Sequence, residues 1–86
     1  MKHKISWHAG AWEDYLYWGD TDKKTLKKIN ELIKAIDREP FTGIGKPEPL
    51  LHSLSGYWSR RIDLKNRLVY AVDNTMITIL SCRYHY

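Results

Sequence analysis

The stretch Thr42-Gly43-Ile44-Gly45-Lys46-Pro47-Glu48-Pro49 divides the chain into two halves of different periodicity. Its glycines and prolines exclude regular helix and central strand, so it predicts an ordered loop joining two kinds of structure. Before it, Leu26, Ile29, Ile33 and Ile36 recur at spacings of three and four, which predicts an amphipathic helix over about Asp22 to Asp37. Thr21 is the expected cap, Asp22 lies at the positive helix end, and Pro40 stops the pattern. A shorter helix precedes it, with Trp12, Tyr15 and Leu16 on one face and Gly19-Asp20-Thr21 as the break. A strand at about Lys4 to Trp7 opens the chain.

After the loop, Leu50 to Leu54, Tyr57 to Asp63, Arg67 to Val72 and Met76 to Arg83 read as strands. Ser55-Gly56, Lys65-Asn66 and Asp73-Asn74-Thr75 punctuate them. The expected fold is α+β: a β-α-α unit, then a three- to four-stranded β-meander, giving a twisted antiparallel sheet with two helices on one face. The 86 residues support a single domain over 1–86, because a chain of this size buries only about two thirds of its unfolded surface and has none to spare for a second core. One cysteine, Cys82, cannot form an internal disulfide, no segment has the apolar length of a membrane span, and the start does not read as a secretion signal. A soluble protein of a reducing cytoplasm is expected, with no membrane association.

The formal charge of +4 is concentrated in two groups. Lys23, Lys24, Lys27, Lys28 and Lys34 fall on the wet side of the amphipathic helix. Arg60, Arg61, Lys65 and Arg67 fall on strand pattern, where a stiff element can hold guanidinium groups as phosphate recognition requires. Four histidines, at positions 3, 8, 52 and 85, lack metal-ligand spacing, and Gly43-x-Gly45-Lys46 is too short for a phosphate-binding P-loop, so neither metal nor cofactor is expected. Three polar residues stand out. Glu48 is held between two prolines, Arg67 opens an apolar strand, and His85 lies in the closing Arg83-Tyr84-His85-Tyr86. Singly they read as a loop carboxylate, a surface arginine and a tail. Together, carboxylate, guanidinium and imidazole suffice for metal-free phosphoryl transfer on RNA.

The segments Glu13-Asp14-Tyr15-Leu16-Tyr17-Trp18, Lys27-Lys28-Ile29-Asn30-Glu31-Leu32-Ile33-Lys34, Gly45-Lys46-Pro47-Glu48-Pro49-Leu50, Leu54 to Ile62, Arg67-Leu68-Val69-Tyr70 and Cys82 to Tyr86 resemble the YoeB toxins of the RelE/ParE superfamily. The resemblance is collinear over nearly the whole chain. It implies a RelE-like fold and a ribosome-dependent endoribonuclease, an mRNA interferase that cuts messenger RNA in the ribosomal A site. It further implies a YefM-like antitoxin as partner and a homodimer. Carried across by position, the general base falls on Glu48, the phosphate-binding arginines on Arg61 and Arg67, the general acid on His85, and the completing tyrosine on Tyr86. Lys46, Arg60 and Tyr84 join the residues expected to touch substrate, Tyr84 as a ring on which a base can stack. Strand alternation would put Tyr84 and Tyr86 on one face and His85 on the other. The terminal carboxylate would favour the charged imidazole.

Two features depart from the family pattern. Leu51 stands where a basic residue is expected, and Trp7-His8-Ala9-Gly10 is a poor helix start. Trp7, Trp12 and Trp18 read as core or dimer contacts. The competing readings are a module that binds ribosome or antitoxin without chemistry, and a gyrase poison of the ParE type; neither needs a general base and acid.

Overall fold

A computed structural model describes residues 1–84; the expectations for His85 and Tyr86 lie outside the described residues. The elements run β1 (Lys4–Trp7), α1 (Ala9–Thr21), α2 (Lys23–Arg38), β2 (Glu48–Pro49), a 3-10 turn (His52–Leu54), β3 (Trp58–Arg61), β4 (Arg67–Val72) and β5 (Met76–Ser81). The sheet order is β1-β5-β4-β3-β2. The two helices and the strand-rich second half match the α+β expectation. The sheet is mixed, however: β2 to β5 pair antiparallel, whereas β1 runs parallel to β5, Lys4 opposite Met76 and Trp7 opposite Ile79. A hairpin would force reversal, but β1 is followed by helices, which leave its direction open. Running parallel, β1 delivers the chain to the end of the sheet from which α1 packs back over β5.

The periodicity of α2 predicts its buried face correctly. Ile29, Leu32, Ile33 and Ile36 are buried together with Leu68, Tyr70, Ile77 and Ile79 of the sheet. Each such side chain contributes about 1.5–3 kcal/mol when fully buried, so this cluster supplies most of the drive for the fold. The cap of α2 is Asp22 rather than Thr21. The Asp22 carboxylate accepts from the Thr25 N–H at 3.2 Å and from the Thr25 hydroxyl at 2.8 Å, while the Thr21 hydroxyl donates back to the Tyr17 carbonyl. A carboxylate reaches the free N–H groups of the first turn and suits its positive field, which is why it prevails.

Gly19 does not end α1, which continues to Thr21. The glycine costs about 1 kcal/mol in a helix. Burial of its neighbour Trp18, whose indole N–H donates to the Cys82 carbonyl at 2.8 Å, offsets that cost. The expected poor start of α1 is present: His8 sits at the cap position without a side-chain hydrogen bond. Trp18 belongs to the core, whereas Trp7 and Trp12 form an aromatic cluster with Tyr15 at one flank of it.

Two strand boundaries need correction. The segment Leu50 to Leu54 is not a strand: pairing stops at Pro49, Leu50 gives one bond to the Tyr57 carbonyl, and His52 turns at φ 57 into the 3-10 turn. Pro49 has no N–H to extend a ladder, so β2 stays a two-residue edge. The last strand ends at Ser81 rather than Arg83. A bulge between Val69 and Tyr70 shifts its register, placing Ser81 opposite Val69 and Ile79 opposite Tyr70.

Candidate functional site

Strand parity decides which polar side chains meet. Leu68 and Tyr70 belong to the core under the helices, so Arg67 and Val69 point to the opposite face. Arg61 is opposite Arg67, Ser59 is opposite Val69, and Glu48 is opposite Ser59. Residues directly opposite share a face. Glu48, Arg61 and Arg67 therefore stand on the face away from the helices, around a buried centre of Ser59 and Val69. Pairs directly opposite lie about 5 Å apart and diagonal pairs about 7–8 Å, a spacing that suits one phosphodiester between long side chains.

Arg61 and Arg67 put two like charges opposite each other, an arrangement that costs stability unless an anion sits between them. Arg61 is exposed and Arg67 half-buried. Nη1 of Arg67 donates to the carbonyls of Asp63 at 2.9 Å and Asn66 at 3.3 Å, which restrains the guanidinium against its own hairpin. Glu48 is exposed at the tip of β2 and borders a groove of about 310 Å³ shared with Leu51 and His52.

The loop that delivers Glu48 is held by Arg60. Arg60 is fully buried on the helix-covered face, and its guanidinium donates to the carbonyls of Glu39 (2.7 Å), Thr42 (2.9 Å) and Ile44 (3.0 Å) and to the Tyr70 hydroxyl (3.1 Å). The Tyr70 hydroxyl in turn donates to the Pro40 carbonyl at 2.7 Å. Burial raises the Tyr70 pKa, an effect that Arg60 only partly offsets. This corrects the expectation that Arg60 touches substrate: its donors are spent inside the protein, one strand position away from the face that carries Arg61. Parity, not charge, separates the two.

Gly45 closes the same strap. Its carbonyl accepts from the Arg61 N–H at 2.6 Å, and its φ of 84 is one that glycine adopts without strain. A Cβ there would sit 2.9 Å from Leu32 Cδ2 and 3.0 Å from Arg60 Cβ. Lys46 follows, exposed and at φ 51, as the loop turns toward Pro47 and Glu48.

At the other end of the site the described chain closes on Tyr84, exposed and at φ 65. β5 ends at Ser81 and Tyr84 is left-handed, so strand alternation does not extend to Tyr84; the faces expected for His85 and Tyr86 lie outside the described residues. Arg83 lies between two rings, 3.5 Å from the Tyr17 centroid and 4.6 Å from that of Tyr84.

Sequence reasoning missed Asn66, which appeared only as hairpin punctuation. Asn66 is buried; its amide donates to both Asp63 oxygens at 3.1 Å and accepts from the Tyr84 N–H at 2.6 Å. Burial works against the Asp63 carboxylate, but hydrogen bonds from Asn66 and the backbone, with the Arg67 charge, outweigh it and lower its pKa. An Asp at the start of a tight turn with Asn three residues on is the signal that could have revealed this pair. Cys82 is no nucleophile: burial, then Asp14, pushes its thiol up to about 12. Among the described residues no cluster of three His, Cys, Asp or Glu side chains could hold a metal, and no helix is long and apolar enough to cross a membrane.

Comparison with known proteins places these features in context. Residues 7–86 match the family of YoeB-like toxins of bacterial type II toxin–antitoxin systems. The YoeB toxin of Escherichia coli K12 is 60% identical over 83 residues, covering 96% of this chain and 99% of that one. The YoeB dimer from Staphylococcus aureus superposes with a TM-score of 0.95 at 53% identity over the full length of both chains. The heterotetrameric YoeB–YefM complex from the same organism gives 0.92 at 53% identity, again over both full lengths.

Proposed function

The chain belongs to the YoeB-like toxins of type II toxin–antitoxin systems, and on that premise we propose that it is a ribosome-dependent endoribonuclease that cuts mRNA in the ribosomal A site. The observation that carries this reading is the register that brings a carboxylate and two guanidinium groups to one sheet face. Glu48 removes the proton from a ribose 2′-hydroxyl. The freed oxygen attacks the adjacent phosphorus, and the bond to the 5′-oxygen breaks, leaving a 2′,3′-cyclic phosphate. Arg61 and Arg67 bind the phosphate oxygens as charge builds on them, and the mutual repulsion of the two arginines is relieved by that charge. His85 protonates the departing 5′-oxygen and Tyr86 orients it. Lys46 adds a phosphate contact beside Glu48, and Tyr84 offers a ring for an unstacked base.

The ribosome supplies orientation, so free RNA is a poor substrate. The protein works in the cytoplasm, where its substrate is. The proposed partner is a YefM-like antitoxin that lays an acidic segment over the arginine face, and the proposed state is a homodimer. Exposed Trp12, Leu16 and Tyr17 give α1 an apolar outer surface that a second copy would cover. The test is a cleavage map on programmed ribosomes with wild type, Glu48→Gln and His85→Gln. Expected are cuts by the wild type alone, ending in 2′,3′-cyclic phosphate. Equal cutting by all three, or stalled translation with intact message, overturns the nuclease reading.

A further inference from the structure

Tyr84 is a tyrosine in the left-handed region, at φ 65. Such a conformation is strained for a residue with a side chain, and persists only where the surroundings dictate it. Both of its backbone groups are held from the β3–β4 hairpin. Its N–H donates to Asn66 Oδ1 at 2.6 Å, and its carbonyl accepts from the Arg67 N–H at 3.0 Å. Tyr84 is also the residue immediately before His85 in the sequence. The residue that precedes His85 is therefore held by the turn that precedes Arg67.

What makes the clasp directional is Asp63. An ionised carboxylate only accepts hydrogen bonds, so it must face the NH2 end of the Asn66 amide and turns the oxygen toward Tyr84. Asp63 is fixed in its turn by the N–H groups of Lys65 and Asn66, at 2.8 and 2.7 Å. The order is a relay: Asp63 orients Asn66, Asn66 holds Tyr84, and Arg67 closes the loop from the same hairpin.

The geometry points to Asn66 as a positioning residue for the general acid, acting through the Tyr84 backbone and oriented by Asp63. This rests on the nuclease reading, in which His85 protonates the leaving oxygen. Asn66 touches no substrate; its contribution is to keep the last segment at the distance and angle that proton transfer needs.

The polarity of the relay can be reversed by exchanging its two residues. Asn66→Asp sets two carboxylates against each other and breaks the clasp. In Asp63→Asn/Asn66→Asp the amide at 63 still accepts from the turn N–H groups and donates to the carboxylate at 66, which accepts from Tyr84. Two readouts apply to the purified full chain: hydrogen exchange at the Tyr84 amide by NMR, and single-turnover cleavage of message on programmed ribosomes. For Asn66→Asp the expectation is exchange about tenfold faster and cleavage about 100-fold slower, with unchanged ribosome affinity and a melting temperature lower by about 4–8 °C, so that the chain is still folded at the assay temperature. The exchanged pair should return both to within about threefold of wild type.

An Asn66→Asp chain that keeps wild-type exchange overturns the clasp. Lost protection with undiminished cleavage overturns the positioning role, as does an exchanged pair that regains protection without regaining cleavage. A wild type that leaves the message intact is instead a failure of the nuclease reading, and exchange at Tyr84 then decides the clasp by itself.

Discussion

Arg60 and Arg61 are neighbours on β3, yet one lies under the helices with carbonyl oxygens around its guanidinium and the other stands on the opposite face across from Arg67. A buried cation is tolerated only when its donors are all but used up, so Arg60 organises the loop from Glu39 to Ile44. An exposed cation facing another is slightly unfavourable on its own and becomes useful only with an anion. One step along a strand thus separates a residue locked inside the fold from one that faces the proposed phosphate. The residue type is the same on both faces, and only the neighbours differ.

The largest effect should come from the functional face. Glu48→Gln is expected to slow ribosomal cleavage by about 1000-fold while the melting curve stays put; a comparable loss of stability would show that Glu48 is structural. Arg60→Leu should do the reverse. With three carbonyls and the Tyr70 hydroxyl left without their donor, unfolding by urea should show a loss of about 3 kcal/mol. Next comes Arg61→Ala, expected to reduce single-turnover cleavage about 100-fold with stability unchanged or raised by a few tenths of a kcal/mol, since it removes a like-charge pair. If Arg60 and Arg61 variants lose stability alike, strand parity does not divide their roles.

Gly45→Ala probes the strap between the faces. The added methyl meets Leu32 and Arg60 at 3.0 Å or less, in a backbone region that disfavours side chains, so about 2 kcal/mol of stability should go in the same denaturation assay. The smallest effect concerns a carboxylate on the helix side. Burial raises the Asp37 pKa, but the His3 ring and the N–H groups of Lys2 and His3 more than reverse this and bring it down to about 2. A depressed carboxylate stabilises above its unfolded pKa of about 3.9 and loses that contribution as pH falls toward 2. Asp37→Asn should therefore flatten the acid limb of the stability curve between about pH 4 and pH 2, measured by thermal melts, with little change in cleavage.

Elements with strong periodicity were legible in the sequence. The stripe Ile29, Ile33 and Ile36 announces α2 and its buried face, and the apolar run Leu68 to Val72, rich in β-branched and aromatic residues, announces β4. The parallel pairing of β1 was not, because nothing in Lys4 to Trp7 encodes which neighbour it will meet across two helices. Leu50 to Leu54 misled because its leucines suggest burial, whereas Leu51 is 72% exposed beside a proline that ends the ladder. For the site, the register sets Glu48, Arg61 and Arg67 on one face; Arg61 came from the family resemblance, and Glu48 and Arg67 from residue chemistry. Residue chemistry could not separate Arg60 from Arg61, since both are arginines on the same strand and parity needs a known core. Asn66 was invisible for another reason: its work is done on a backbone eighteen positions away.

The parallel edge also bears on how the chain is born. β1 pairs with β5, so the first strand synthesised has no partner until almost the last one has left the ribosome. Until then α1 and α2 lack the cover that Ile77 and Ile79 of β5 supply, and the closing of the sheet waits on a contact of very long sequence separation. The arginine face is assembled from β2, β3 and β4, and it gains its rigid backing only when β5 slots between β4 and β1. A nascent chain of this architecture therefore completes its arginine face only after β5 has emerged.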